Sequence, residues 1–494
     1  MSRSSAPLVE PLGRTADPAE VCRRFIDLPY VLFLDSAAAQ HPDAHYSFLA
    51  ADPPRVVRSK GTATEVFGGA GGAWVPVEGD ALAAARALLP QEPVEPVSGL
   101  PPFQGGLAGY IGYDWSAVLE RLPRPRYDDL AIPDVVLGLY DWVIAWDHRI
   151  GTAWLISTGL PEEGRAREQH ARERMELVRG RLGGRGGGRA GGQADGRTAS
   201  SRRPAAPSYP VVGVDGAEKI GLRSTFTHRG YLDAVARVRE YIVAGDIFQA
   251  NLSQRFEARL SEAPFELYNR LRRHNPAPFA AYLGFGDMAV LSASPERFLR
   301  LDEDQRTIET RPIKGTRPRG LGPMHDAALG RALAESAKDR AENVMIVDLL
   351  RNDLSRVCRP GTVRVPELFA IEHHPTVHHL VSTVVGEIEP GAGAVELIRA
   401  AFPGGSITGA PKVRAMEIIA ELEPTQRGVY CGSVGYLSVT GAMDTSIVIR
   451  TYLALDGRVY FQAGGGIVAD SDPELEYGET LDKARGLIET LAHE

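Results

Sequence analysis

Two acidic pairs in the C-terminal half have the spacing of side chains that share one face of a helix. Asp339 and Glu342 lie three residues apart in DRAENVMIVDLLRND, as do Glu476 and Glu479 in ELEYGETLDKARGLIETL, and residues three apart face the same side of a helix. If the two faces met, their carboxylates would need protons or a cation, and Mg²⁺ prefers such oxygen ligands. The spacing also fits two solvated helix faces, with Glu479 and Lys483 as an ordinary ion pair.

A single lysine, Lys314, stands in the basic stretch RPIKGTRPRG, residues 311–320. A lysine amine is a nucleophile only when it is neutral, and burial or a nearby cation such as Arg311 or Arg317 lowers its pKa. Four basic side chains in ten residues are also typical of a solvated loop. The role of this lysine therefore depends on what the rest of the chain supplies.

A run of three glycines, Gly464, Gly465 and Gly466, stands in QAGGGIVADSD, between a strand-like segment and the second acidic segment. Glycine lets a ligand approach the backbone closely and lets successive N–H groups point at an anion. A carboxylate or a phosphate would be the ligand. The run also fits a bulge or a hairpin turn, and its spacing matches neither a P-loop nor a dinucleotide-binding motif.

A polar turn in AFPGGSITGAPKVRAM contains Ser406, Thr408, Gly409 and Lys412 at the expected start of a helix. Hydroxyl groups and free backbone N–H groups at a helix start suit an anion, although Ser and Thr also cap helices without any ligand. Arg450 lies inside the apolar strand-like run SIVIRTYL. Burying it is costly unless a carboxylate meets it, and that carboxylate could belong to a ligand or to the protein.

The elements that position these residues belong to a globular chain of 494 residues, of which 44% are hydrophobic and 24% charged. This length predicts two domains or one large two-layer fold. No apolar run is long enough to span a membrane, and the first residues lack a secretory signal, so we expect a cytoplasmic protein. Three cysteines without CxxC spacing exclude a disulfide framework or zinc site. A net charge of −8 argues against nucleic-acid binding.

A Gly- and Arg-rich segment, residues 181–210, divides the chain, because almost none of its side chains could enter a core. We predict a disordered linker between an N-terminal region, residues 1–180, and a C-terminal region, residues 211–494. Strand-like runs such as YVLFLDS and DWVIAWD mark the first region, and helical spacing in YLDAVARVREYIVAGD opens the second. Strand candidates such as MAVLSASP and RFLRLD follow one another without a helix between them, which favours antiparallel pairing. The predicted class is α+β.

Taken together, these segments resemble the chorismate-utilising enzymes, a family that includes component I of aminodeoxychorismate synthase and of anthranilate synthase and, more distantly, isochorismate and salicylate synthases. The motifs between about residues 225 and 490 that carry the resemblance are GDIFQANLSQRF, SASPERFL, RPIKGTRPRG, AENVMIVDLLRNDLSRV, HHLVSTVVGE, FPGGSITGAPKVRAMEIIAELEP, RGVYCGSVGY, MDTSIVIRT and GGGIVADSDPELEYGETLDKA. The N-terminal region matches more loosely, through FLDSAAAQHPDAHYSFLAADP. The resemblance implies two large, mainly antiparallel β-sheets packed as a sandwich, with helices around the outside.

Two positions distinguish the chemistries within this family. Gln249 in FQANLS stands where the isochorismate and salicylate branch has a lysine that activates water, so the resemblance argues against addition of water. Lys314 stands in PIKGT, which looks like the aminodeoxychorismate synthases, whereas anthranilate synthases usually have alanine there. The resemblance therefore implies that chorismate is aminated at carbon 4.

The resemblance also implies a role for each candidate residue. Lys314 would attack carbon 2 of chorismate while Glu296 of SPERF protonates the departing 4-hydroxyl, and ammonia would then displace the lysine. The residues implied to hold Mg²⁺ are Glu342, Glu476 and Glu479, with Asp339 close by. Those implied to surround the substrate are Ser406, Thr408, Tyr430, Arg450, Lys483, His379 and the amides of Gly464, Gly465 and Gly466.

A tryptophan pocket is a further site that the resemblance implies, through the segments FLDSA and NPAPF. Its candidate residues are Asp35, Ser36, Tyr46, Asn275 and Pro278. The segments depart from the usual family pattern. Tryptophan as an inhibitor, tryptophan as a structural ligand and no tryptophan at all therefore remain open.

The sequence contains no glutaminase region, so the nitrogen would come from free ammonia or from a separate glutamine amidotransferase subunit, and the resemblance implies such a subunit as the partner. Two alternatives remain open. One is anthranilate synthase component I, against which Lys314 argues. The other is a non-catalytic subunit that binds chorismate or tryptophan, against which Lys314 and the acidic residues argue, because a sensor needs no general acid.

Overall fold

Most of the chain is described by the computed structural model, which covers residues 6–14, 16–38, 41–68, 72–91, 93–184, 205–302, 306–373 and 377–493. Residues 185–204, the greater part of the predicted linker, lie outside these ranges. Within the ranges given, no helix combines the length and the apolar character that crossing a lipid bilayer requires.

Twenty-five strands and eleven α-helices form the described part of the chain. The strands are β1 (Leu8–Gly13), β2 (Val31–Asp35), β3 (Tyr46–Ala50), β4 (Arg55–Lys60), β5 (Ala63–Phe67), β6 (Trp74–Val77), β7 (Gly106–Ile111), β8 (Val135–Tyr140), β9 (Trp142–Asp147), β10 (Thr152–Ser157), β11 (Tyr209–Pro210), β12 (Arg223–Ser224), β13 (Gln249–Arg259), β14 (Phe279–Phe285), β15 (Met288–Ser294), β16 (Arg297–Asp302), β17 (Thr307–Thr310), β18 (Ile313–Pro318), β19 (Arg364–His373), β20 (Val377–Glu387), β21 (Gly409–Ala410), β22 (Ser433–Ser438), β23 (Met443–Ile447), β24 (Thr451–Leu455) and β25 (Arg458–Ile467). The α-helices are α1 (Pro18–Cys22), α2 (Ala81–Leu88), α3 (Ser116–Leu119), α4 (Gly164–Leu182), α5 (His228–Val243), α6 (Pro264–His274), α7 (Pro323–Glu335), α8 (Ala337–Ser355), α9 (Ala394–Ala401), α10 (Lys412–Leu422) and α11 (Pro473–Ala492). Two short 3₁₀ helices cover Tyr113–Trp115 and Gly405–Ile407.

The strands form two large sheets, and the named strands of the described residues pair antiparallel throughout. The first sheet has thirteen strands in the order β1-β10-β9-β3-β2-β14-β15-β24-β25-β13-β12-β11, with β21 paired to β13 outside this path. The second has twelve strands in the order β18-β20-β17-β16-β23-β22-β7-β8-β4-β5-β6, with β19 also paired to β20. The predicted pair of antiparallel sheets is confirmed.

Alternating side chains give each central strand two apolar faces, because successive residues of a strand point to opposite sides of the sheet. In β2, Leu32 packs in the cluster between the sheets, whereas Val31 and Phe33 pack against α6 and α11 on the outside. In β4, Val56 faces the other sheet and Val57 faces the outer helices. Helices α1, α4, α6 and α11 cover the first sheet, and α2, α8 and α9 cover the second. Helices α5 and α10 pack together against β13 and β25 of the first sheet. The result is the predicted sandwich with helices outside.

Each sheet joins a block of strands that precede residues 185–204 to a block that follows them. In the first sheet the junction is β2 against β14, over five residue pairs. In the second it is β7 against β22, over six residue pairs. The apolar cluster between the sheets contains side chains from both blocks, for example Ala145 and Leu453. The division of the chain into residues 1–180 and 211–494 stays a prediction, and the two regions share both sheets.

Candidate active site

Lys314 lies in a β-bulge of the edge strand β18. Between Ile313 and Thr316, two residues of β18, Lys314 and Gly315, oppose a single residue of β20. Gly315 has φ +88°, and a Cβ at this position would lie 2.8 Å from Leu333 Cδ1. Only glycine adopts this left-handed conformation readily and also leaves room for the leucine. The Lys-Gly sequence therefore makes a bulge, and bulges re-aim the neighbouring side chain.

The Lys314 amine lies in an environment that disfavours its charge. Burial lowers the pKa of Lys314 below its ordinary value, and the Lys483 ammonium of α11 lowers it further. The carboxylates of Glu342, Glu296 and Glu479 oppose this shift without reversing it. A lowered pKa increases the fraction of neutral amine, which is the nucleophilic form.

The cation beside Lys314 is not the one that the sequence predicted. The Arg317 guanidinium donates to Asp339 Oδ2 at 2.8 Å, and that of Arg311 donates to Asp43 Oδ2 at 2.8 Å. Each of these two arginines is paired with a carboxylate, and the cation that lowers the pKa of Lys314 is Lys483. Asp339, which was expected close to the metal-binding carboxylates, acts electrostatically on Glu342, and one of its oxygens also accepts a hydrogen bond from Arg317.

Glu296 lies in the turn between β15 and β16, and it is 5% exposed. Burial raises the pKa of its carboxyl to about 7. The Ser406 hydroxyl, the backbone N–H of Ile313 and the Lys314 charge lie close enough to the carboxylate to act against this rise in pKa. The acid therefore lies beside the strand that carries the lysine, and a carboxyl with this pKa can donate a proton at neutral pH.

The two acidic segments form the helices α8 and α11, as predicted. Glu342 of α8 interacts electrostatically with both Lys314 and Glu479 of α11. Glu476 and Glu479 converge on the backbone of β25, where a Cβ on Gly465 would lie 3.0 Å from Glu476 Oε2 and 3.4 Å from Glu479 Oε1. The carboxylates of the two helices and the lysine thus form one cluster.

The carboxylates of this cluster differ in the hydrogen bonds and positive charges that the protein supplies to them. Burial raises the pKa of Glu342 and of Glu476. Glu476 Oε1 accepts a hydrogen bond from the Ser471 hydroxyl at 2.6 Å, whereas its buried Oε2 has no hydrogen-bond partner among the described residues. Burial also acts to raise the pKa of Glu479, but Lys483, 2.6 Å from Oε1, brings it below its ordinary value. No three metal-ligating side chains of the described residues converge closely enough to hold an ion alone.

Lys338 is a functional candidate that the sequence reasoning missed. It is exposed on α8, and its ammonium acts to lower the pKa of Glu342, Glu476 and Glu479. Lys338 lies four residues before Glu342 on the same helix face. That spacing was the signal that could have identified it.

The three glycines belong to the regular strand β25, so the alternative of a bulge or a hairpin turn is wrong. The Gly464 carbonyl accepts a hydrogen bond from Lys483 Nζ at 2.9 Å. A Cβ on Gly466 would lie 2.0 Å from Nε2 of Gln249, which is fully buried and whose amide has no hydrogen-bond partner in the described part of the chain. Gly465 and Gly466 thus leave space for polar side chains, and anion binding by the Gly464, Gly465 and Gly466 amides stays a prediction.

The polar turn before α10 uses most of its own groups internally. The Thr408 hydroxyl donates to two backbone carbonyls at 3.1 and 3.3 Å, and Lys412 Nζ lies 2.6 Å from Asp353 Oδ2. Helix α10 begins after Pro411 without a side-chain cap, so the capping alternative is wrong. Lys412 holds the turn to α8, while Ser406 is the member directed at Glu296.

Arg450 lies between β23 and β24 with φ +52°, so it is not inside a strand as predicted. Burial lowers the pKa of Arg450, and Tyr430 opposes this shift. No carboxylate of the described residues forms an ion pair with it. An arginine without an internal partner suits an anionic ligand. His379 lies on β20 beside the bulge, with Nδ1 2.8 Å from Thr316 Oγ1.

A cavity of about 810 Å³ lies between the two sheets, apart from the lysine and its acid. Four residues predicted for a tryptophan pocket line it, namely Asp35, Ser36, Tyr46 and Pro278. Asn275 does not, because its amide donates to the Gly486 carbonyl of α11 at 3.2 Å. The Asp35 carboxylate already pairs with Arg272 Nε at 2.7 Å. The cavity is therefore lined by four of the five side chains predicted for the pocket, and the charge of one of them, Asp35, is already neutralised by Arg272.

The two-sheet sandwich brings together a lysine, a protonatable glutamate and two helices that carry carboxylates. The chain belongs to the chorismate-binding family: its sequence matches chorismate binding enzymes over residues 31–489.

Individual relatives agree with this assignment. Aminodeoxychorismate synthase component 1 of Salmonella typhimurium is 41% identical over 493 residues, which cover 99% of this chain and 100% of the relative. Anthranilate synthase component 1 of Cereibacter sphaeroides is 43% identical over 421 residues, or 84% and 79% of the two chains. The crystal structure of anthranilate synthase component I from Streptococcus pneumoniae has a TM-score of 0.73 and 31% identity, and the match covers 91% of this chain and 93% of that one. Identity alone does not separate the two activities.

Proposed function

We propose that the protein is an aminodeoxychorismate synthase component I, which converts chorismate and ammonia to 4-amino-4-deoxychorismate. The observation that carries this proposal is the Lys314 amine, held in a bulge with a lowered pKa and close to the Glu296 carboxyl, whose pKa is about 7. Match to a relative of that name over 99% of the chain supports it.

The reaction uses Lys314 as the nucleophile and Glu296 as the acid. The neutral amine bonds to ring carbon 2, the double bond shifts, and the bond from carbon 4 to its hydroxyl breaks as Glu296 supplies the proton that makes water. Ammonia then bonds to carbon 4, the bond to Lys314 breaks, and the lysine nitrogen regains its lone pair. A proton from the new ammonium group returns to Glu296, which restores both residues.

The carboxylates of α8 and α11 are proposed to hold Mg²⁺. The unpartnered Oε2 of Glu476 and the raised pKa values of Glu342 and Glu476 fit a cation, because burial leaves these groups short of positive charge. Glu479 would complete the protein ligands. When bound, the ion would neutralise the substrate ring carboxylate and hold it in place. Arg450 and Tyr430 are proposed to bind the second carboxylate of chorismate.

Ammonia is proposed to come from a separate glutamine amidotransferase subunit. The relatives that are named component 1 support this, since the name implies a second component. The cavity between the sheets is proposed to accept tryptophan as a ligand, whether or not it affects the reaction.

Two alternatives are distinguished by the products. An anthranilate synthase component I would release anthranilate and pyruvate, and the similar identity to that enzyme keeps this alternative in view. A non-catalytic subunit would bind chorismate and leave it unchanged. The lysine with its lowered pKa and the buried acid favour amination at carbon 4 over amination at carbon 2 and over binding alone.

Substitution of the lysine tests the proposal. With chorismate, ammonium and Mg²⁺, the wild-type protein should form 4-amino-4-deoxychorismate, identified by mass and chromatography. In Lys314→Ala and in Lys314→Arg, which keeps the charge, its rate should fall by about 10³-fold or more. Lys219→Ala removes an exposed lysine far from the site and should retain full activity. Unchanged amination in Lys314→Ala would contradict the nucleophilic role, and anthranilate from the wild type would favour the alternative enzyme.

A further inference from the structure

Two arginines flank the segments that carry the acid and the lysine. Arg297 directly follows Glu296, and Arg311 precedes Lys314 by three residues at the entry to β18. The two segments lie side by side between these arginines, since the Ile313 N–H is close enough to the Glu296 carboxylate to act on its pKa. The position of the acid relative to the amine therefore depends on how these two segments are held.

One carboxylate joins both arginines. Asp43 Oδ1 accepts a hydrogen bond from Arg297 Nη1 at 2.8 Å, and its Oδ2 accepts one from Arg311 Nη1 at 2.8 Å. Asp43 lies in the loop between β2 and β3, more than 250 residues before either arginine. The Arg297 side chain is 6% exposed and that of Asp43 is 16% exposed. These ion pairs are therefore largely shielded from water and salt, which strengthens them.

We propose that Asp43 is a positioning residue that clamps the Glu296 segment to the Lys314 segment through Arg297 and Arg311. The proposal rests on the proposed function, because that function assigns the acid and the amine to one reaction. Asp43 acts through the two arginines and not on the substrate. Its loss should let the two segments move apart, and a displacement of about 1 Å between reacting groups can cost 10²-fold in rate.

Glu309 of β17 provides a matched control. Its Oε1 lies 3.0 Å from Arg297 Nη1, the same nitrogen that donates to Asp43. Glu309→Gln removes one negative charge from this arginine while Asp43 still joins both arginines. Asp43→Asn removes one charge as well, but it replaces one of the two accepting oxygens with an NH₂ group, which can only donate and so cannot bond the second arginine.

The test combines kinetics with hydrogen–deuterium exchange of the free protein. Asp43→Asn should lower kcat by about 10- to 100-fold while the KM for chorismate changes by less than about twofold, because the substrate-binding side chains stay in place. Exchange of the Ile313 amide should become faster. Glu309→Gln should leave both measurements close to the wild type. Asp43→Glu, which keeps the charge, should recover part of the lost kcat and of the protection.

Several results would overturn the clamp. One is an equal loss of kcat in Asp43→Asn and Glu309→Gln; another is a lower kcat with unchanged exchange at Ile313. If Asp43→Asn fails to fold, as judged by thermal denaturation, Asp43→Glu supplies the same comparison with the control. If the wild-type protein does not aminate chorismate, the proposed function fails, and the exchange measurement alone decides whether Asp43 holds the two segments together.

Discussion

Burial shifts the pKa values of Lys314 and Glu296 in opposite directions. Burial disfavours the charged form of each group, so it lowers the pKa of the lysine and raises that of the glutamate to about 7. In the proposed reaction the neutral amine is the form that attacks, and the protonated carboxyl is the form that donates. One poorly solvated environment therefore favours both reactive forms, without a separate base to activate the lysine.

The pH dependence of the reaction should report Glu296. Because the proposed reaction needs the protonated acid, kcat/KM should fall as the pH rises through the pKa of about 7. Glu296→Gln has no proton to lose, so it should lack this titration and lower kcat by about 10²- to 10⁴-fold. Steady-state kinetics from about pH 6 to 9 would measure this titration in the wild type and in the variant.

Glu417→Gln, on the surface of α10 beside Arg414, should keep the wild-type profile. A titration near neutral pH that persists in Glu296→Gln would assign it to another group.

At the residue scale, the sequence singled out side chains that the structure brings together, but not the residues that pair with them. Lys314, Glu296 and the carboxylates of Glu342 and Glu479 come together, and their order in known motifs was enough to select them. The cation beside the lysine could not be predicted, because a neighbour in sequence such as Arg317 of β18 is paired with a carboxylate of helix α8. Partners of this kind depend on tertiary packing, which spacing along the chain does not encode.

At the element scale, strand β25 acts as a surface on which the α11 carboxylates rest. The proposed Mg²⁺ site depends on the absence of a side chain at Gly465, where a Cβ would lie 3.0 Å from Glu476 Oε2 and 3.4 Å from Glu479 Oε1. Gly465→Ala should displace both carboxylates, so the Mg²⁺ concentration for half-maximal activity should rise about tenfold or more.

Gly478→Ala is the matched control for this substitution. Gly478 lies in α11 between the two glutamates, and a Cβ there meets nothing within 4 Å. It should leave the Mg²⁺ requirement unchanged. Titration of activity with Mg²⁺ would compare the two variants, and an equal response would mean that the β25 surface does not support the ion.

Many elements were predictable from pattern alone, and the exceptions have local causes. The run YVLFLDS forms β2, and the helical spacing in YLDAVARVREYIVAGD forms α5. The three glycines stand in a regular strand. Glycine is needed there because neighbouring side chains, including Gln249, occupy the space that side chains on β25 would fill. Arg450 leaves its strand because a residue with φ +52° cannot continue it. Neither cause can be read from residue types.

At the scale of the whole molecule, the parts of the chain before and after residues 185–204 are joined by two β-sheet junctions and one apolar cluster. A protease site inserted in this segment should therefore yield two fragments that stay together after cleavage. We expect the cleaved protein to elute as one species in size-exclusion chromatography and to keep the activity of the uncut protein. Elution of two separate fragments would show that the junctions are weaker than their pairing indicates.

The same two junctions have a consequence for synthesis of the chain. Strands β2 and β7 leave the ribosome long before β14 and β22, which complete their pairing. At the usual pace of translation this interval lasts tens of seconds. During this interval the nascent polypeptide carries two unpaired sheet edges, which are templates for aggregation. We therefore expect molecular chaperones to be needed most at this stage.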